Sequence, residues 1–117
     1  MSTQTCKDIQ NDVCIDPTDT FETTSPVVHM SFKSPELPKV GDVYYIQWIA
    51  ENVGAAAPEN TVIATIKKEV TEVAPGTESY VVNSRVTKPA AGWPAGSYRV
   101  EVKLENKLMT TARFTVK

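Results

Sequence analysis

Six stretches of this chain alternate apolar and polar residues with a period of two, and that alternation limits what it can fold into. Between 97 and 104, Tyr98, Val100, Val102 and Leu104 fall on one side, with Arg99, Glu101 and Lys103 on the other. The same phase runs through 27–33, where Val28, Met30 and Phe32 oppose His29, Ser31 and Lys33. It recurs in 42–50 (Tyr44, Ile46, Trp48, Ala50), 61–70 (Val62, Ala64, Ile66), 79–86 (Tyr80, Val82, Val86) and 110–117 (Ala112, Phe114, Val116). Successive side chains of an extended backbone point to opposite faces, so each stretch predicts a strand buried on one face only.

The segments between them hold nearly all the proline and glycine: 34–41, 51–60, 74–78 and 88–96, with a short break at 105–107. Proline cannot donate to a strand ladder, so its exclusion from the six stretches fits their reading as strands. No stretch carries a helical stripe. Strands with one apolar face each must bury that face against a second sheet. The expected fold is therefore an all-β antiparallel sandwich of six to seven strands over residues 26–117.

Residues 1–25 read differently. In this region Asp8, Asp12, Asp16, Asp19 and Glu22 stand against Lys7 alone, large apolar groups are sparse, and the segment leads into "TTSP". A polar, charged segment offsets little of its chain entropy by burial. It is expected to form a flexible acidic leader. Cys6 and Cys14, the two cysteines of the chain, both lie in it. Their spacing suits a local disulfide of an exported protein. Two free thiols, or pairing with another chain, are the other readings. A two-cysteine metal site lacks nearby histidine or cysteine to complete four ligands.

The ordering "SPVVHMSFK", then "VGDVYYIQWIAENVGAAAPENTVI", then "GWPAGSYRVEVKLENKLMTTARFTV" resembles a family of bacterial immunoglobulin-like domains. The similarity covers residues 26–117, and Trp48, "AAAPENTVI" and "GWPAGSYRVEV" carry it most specifically. It implies an immunoglobulin-like sandwich belonging to an exported protein or lipoprotein, and it implies no assigned activity.

Composition and motifs exclude more than they select. A net charge of −2 without clustered lysine and arginine argues against nucleic acid. No apolar run reaches the roughly 18 residues of a membrane span. No apolar segment follows Met1, so the expectation is a chain without a signal peptide, as in a mature region with an added start Met. The lone histidine, His29, falls on the outward phase of its strand, where a solvent-facing role is expected. No nucleophile motif accompanies it. The leader carboxylates lack the spacing of a calcium loop, and the five glycines are dispersed singly among turns. No enzyme activity, cofactor or metal is expected. Arg85, Arg99, Lys103, Arg113 and Lys117 all fall on outward phases of the C-terminal strands, either for solubility or to attract the acidic leader or an acidic partner.

If the strands run up and down, loops 51–59 and 88–95 share one end. Trp93 would then lie beside Ala55, Ala56, Ala57 and Pro58, making a candidate contact surface; alternatively, Trp93 lids the core. In "GWPAGSY", Pro94 suits a turn corner and Gly96 suits a positive φ. Tyr98 resembles the corner tyrosine of immunoglobulin-like folds, reaching back to upstream backbone. The expected role is a non-catalytic extracytoplasmic binding or spacer module whose partner is a protein or cell-envelope component. An accessory domain that inhibits or serves an enzyme through its loops is the alternative.

Overall fold

A computed structural model describes residues 2–34 and 36–117. Met1, in the expected leader, and Pro35, in the expected turn 34–41, lie outside the described residues. The strands are β1 (Ser2–Gln10), β2 (Val13–Pro17), β3 (Thr20–Phe21), β4 (Val27–Ser34), β5 (Val43–Asn52), β6 (Thr61–Glu69), β7 (Tyr80–Thr87), β8 (Gly96–Leu104) and β9 (Lys107–Val116). One sheet has the order β2-β1-β4-β7 and the other β3-β9-β8-β5-β6. All pairings are antiparallel except β3 with β9.

The six alternating stretches become β4 to β9, with ends within three residues of those expected. Their apolar phases meet between the sheets, except at Val62, expected inward but exposed where the β5–β6 register shifts at Trp48/Ile49. Val28, Met30, Phe32 and Val82 from one sheet pack with Tyr44, Ile46, Trp48, Val100, Val102, Phe114 and Val116 from the other. Aromatic contacts cross the gap: Phe32 meets Tyr44 edge-on at 6.4 Å between ring centroids, and Tyr80 stacks on Tyr44 at 5.8 Å. Fully buried Trp48 donates its indole N–H to Ser84 Oγ at 3.1 Å, a polar tie between β5 and β7. Without that acceptor the buried indole N–H would cost an unmade hydrogen bond.

Residues 2–25 correct the expectation of a flexible leader. They supply three strands. β1 pairs along β4 from Ser2↔Lys33 to Cys6↔His29, then turns into β2 through Asn11 and Asp12. Both of these residues have positive φ, 51° and 62°, as a two-residue hairpin turn of the right hand requires. β3 then crosses to the other sheet, where buried Phe21 lies against Phe114 at 5.5 Å, edge-on. The chain compensates for its few apolar groups with backbone and hydroxyl bonds. Thr18 N donates to Thr5 O, Thr115 N to Asp19 O and Lys117 N to Phe21 O, at 2.8–3.0 Å. Thr5 Oγ1 donates to Thr18 O, and Thr3 and Thr110 share a hydroxyl bond of 2.7 Å.

The cysteines form a Cys6–Cys14 disulfide, with Cα atoms 5.7 Å apart. Its setting is unlike an exposed tail, because Cys6 is fully buried. The hairpin arches back over the outer face of its own sheet: β2 approaches β4, and Asp12 at the tip accepts from Asn83 Nδ2 of β7 at 2.8 Å. This fold-over corrects the reading of His29. It does occupy the outward phase of β4, yet it is only 9% exposed, because the hairpin lies above it.

Candidate functional site

The corner predicted around "GWPAGSY" is built from upstream backbone. Trp93 is 2% exposed; its backbone N–H donates to Thr23 O and its indole N–H to Ser25 O, both at 2.9 Å. Its ring meets Tyr98 edge-on at 5.8 Å, and Tyr98 stacks on Phe114 at 5.1 Å. The Tyr98 hydroxyl donates to Pro94 O at 2.5 Å, and burial pushes its pKa up. Gly96 takes φ +150°, and a Cβ there would collide with Asn52 O and Val53 Cα. Close backbone approach therefore excludes a side chain at Gly96. That approach places the corner beside the 51–59 loop, whose Val53 is buried in the same core. Ala55, Ala56 and Pro58 are exposed and Ala57 is half-buried. Trp93 does not join them at the surface; its ring and its donor are both committed to the core.

The outward cations divide between the sheets. On β8 and β9, Arg99 bridges Glu51 at 3.2 Å and Glu101 at 3.0 Å, and Arg113 reaches Glu51 at 3.4 Å. Hydrogen bonding to Glu101 leads the causes that hold the Arg99 pKa above its ordinary value. Arg85 stands apart on β7, opposite His29 in the β4–β7 register.

Arg85 belongs to the more distinctive region. A cavity of about 380 Å³ opens where the edge strands β6 and β7 face each other across the side of the sandwich. From β7 it is lined by Asn83, Ser84 and Arg85, three consecutive residues; from β6, by the alternate residues Ile66 and Lys68. Consecutive residues alternate faces, so a surface touching all three runs along the strand's edge. Alternate residues share a face, so β6 offers a side-chain wall. Ile9 of the hairpin and His29 complete the lining.

Charge in the cavity is one-sided. Among the described residues, Arg85 and Lys68 take part in no ion pair, and no carboxylate lines the cavity. Burial lowers the His29 pKa most; nearby Asp8 opposes this and Arg85 adds to it. Ser84 Oγ is held by Trp48, and Asn83 gives its amide N–H to Asp12 while its Oδ1 is buried without a partner. Sequence reasoning placed Ile66 inward and Arg85 outward but did not bring them together. That needed the strand order, in which β6 ends one sheet and β7 ends the other. Among the described residues no cluster of three or more His, Cys, Asp or Glu has the geometry to hold a metal ion.

Two antiparallel-dominated sheets closed by an aromatic core, with a tyrosine corner at the start of β8, define an immunoglobulin-like sandwich. A solved structure agrees: an immunoglobulin-like protein from Pseudomonas aeruginosa is similar over 88% of this chain and 81% of its own, with TM-score 0.51 and 17% identity. At that identity the likeness shows the fold alone. No protein-family model matches the chain. No curated protein matches it either. No helix among the described residues is long and apolar enough to cross a membrane.

Proposed function

We propose that this protein is a non-catalytic extracytoplasmic binding module that receives an extended segment of a partner protein along the free edge of β7. The observation that carries the reading is the cavity lined by three consecutive β7 residues. Among the described residues β7 pairs only with β4, so the backbone N–H and C=O groups directed away from β4 have no described strand beside them. Such an edge takes up a further strand by main-chain hydrogen bonding, while neighbouring side chains select its residues. Ile9 and Ile66 supply apolar contact on either side.

The Cys6–Cys14 disulfide supports an extracytoplasmic setting, since such bridges persist where the environment is oxidising. Ser84 and His29 support a non-catalytic role: the first anchors Trp48, and the second is packed beneath the hairpin. The 51–59 loop end is the weaker surface, because Trp93 is withdrawn into the core.

The test is an amide NMR titration with an uncharged strand-forming peptide, acetyl-Thr-Val-Gln-Val-Thr-amide. Saturable shifts confined to residues 81–87 and 64–68 are expected. Shifts centred on 51–59, or none at millimolar peptide, would remove β7 as the contact edge.

A further inference from the structure

From the charges around this edge we infer that the segment docking on β7 carries a carboxylate, seated between Arg85 and Lys68. The inference rests on the strand-addition reading above and adds the chemistry of the occupant. Arg85 projects from β7, the strand whose edge lines the cavity, and Lys68 from the opposite wall on β6. A carboxylate on a residue paired near Arg85 would lie between the two. The guanidinium offers it a planar fork of donors and the ammonium a point charge.

Three observations favour this occupant. Both cations lack a carboxylate partner among the described residues, whereas Arg99 and Arg113 on β8 and β9 are paired with Glu51. The two cations line one cavity, so an anion seated there is attracted by two positive charges rather than one. The apolar contacts, Ile9 and Ile66, flank the cations rather than replace them, which suits an acidic residue set among aliphatic ones. Asp8 and Asp12 of the hairpin are the acidic groups nearby. Asp12 is bonded to Asn83, and Asp8 acts on His29. Neither lines the cavity, so neither takes the place of the ligand's anion.

A basic patch alone would attract any polyanion. The strand edge makes the difference here, since its spaced donors and acceptors match a peptide backbone and not a sugar-phosphate chain. The carboxylate has two sources in a peptide, an acidic side chain or the chain's C-terminus, and three probes separate them. These are acetyl-Thr-Val-Glu-Val-Thr-amide, its glutamine counterpart, and acetyl-Thr-Val-Thr-Val with a free C-terminal carboxylate.

Titrations of the intact, oxidised protein at low salt are read from the amides of residues 81–87. The glutamate peptide is expected to bind on the order of fivefold more tightly than the glutamine peptide, as a pair of partly solvated ion contacts allows. Arg85→Gln should abolish that preference, so that the glutamate and glutamine peptides bind with equal affinity. Lys68→Gln, on an exposed side chain, provides a second test of the same preference. If the free-carboxylate peptide alone shows the gain, the seat is for a chain terminus. Equal affinity of the glutamate and glutamine peptides, with both saturating at β7, overturns the carboxylate inference and leaves strand addition standing. No saturable shift from any probe overturns both.

Discussion

Replacing both cysteines, Cys6→Ala with Cys14→Ala, tests whether the hairpin is a stapled cover over His29 or a dispensable appendage. The bridge spans a sequence separation of 8. Residues 6 to 14 inclusive make a nine-residue loop, and on the chain-entropy model it limits the unfolded chain by about 8.7 cal/mol/K, or about 2.6 kcal/mol at 25 °C. That figure is the expected loss in denaturant unfolding, with an unchanged m-value if the hairpin still docks. The second readout is specific to the hairpin. His29 is the lone histidine, so its ring resonances titrate without overlap. Burial holds its pKa below 6.5, and opening the hairpin should move it back up. The sign for stability follows. Below pH 6.5 the unfolded chain takes a proton that folded His29 resists. The oxidised protein should therefore lose stability as the pH falls from about 6.5 through the lowered folded value, and the double variant should lose less. A stability loss under about 1 kcal/mol together with an unmoved His29 titration would refute the cover, because neither the entropy nor the desolvation would then depend on the staple.

Trp93→Ala should cost roughly 3–5 kcal/mol in thermal or denaturant unfolding, since it removes a buried ring and strands Ser25 O; an unchanged Tm would show that the ring does not close the core. Tyr98→Phe keeps the stacking on Phe114 and removes only the donor to Pro94 O, so a loss of about 1–3 kcal/mol is expected, and a neutral result would mean the corner stands on packing alone. Deleting residues 1–25 should abolish the cooperative transition of the sandwich, because Phe21, the β1–β4 ladder and both Trp93 acceptors leave with them. A fragment of residues 26–117 with a sharp, native-like transition in calorimetry would restore the view of a loose leader.

Much of the architecture was written in the alternation of β4 to β9, where burial on one face leaves a readable period. Tyr98, Val100 and Val102 show it plainly and are all buried. The first 25 residues give no such signal. In "STQTCKDIQ" both phases are polar, and β1 is held by ladder bonds, threonine hydroxyls and the disulfide rather than by an apolar face. One local cue was present: Asn11-Asp12 set between two extended runs, a pair able to take positive φ at both turn positions. The spacing of Cys6 and Cys14 did point to the bridge, though not to its burial between the arms of a folded-over hairpin. The cavity was beyond sequence reading for a different reason. Arg85 and Lys68 lie on strands that never pair, and only the packing of two sheet edges brings them to one space.

The parallel pairing of β3 with β9 has a mechanical consequence. A pull from the N-terminal side first loads β1 against β4; once β1 and β2 are drawn off, it acts on β3, while a pull from the C-terminal side acts on β9. In a parallel pair loaded this way the strands slide past each other, so Thr115–Asp19 and Lys117–Phe21 bear the load together instead of unzipping one by one. Ahead of them, the disulfide passes tension directly from Cys6 to Cys14 across 5.7 Å and withholds roughly 21 Å of contour length from extension. A domain wired in this manner resists tension along the β3–β9 pair, on the sheet that does not contain the β7 edge.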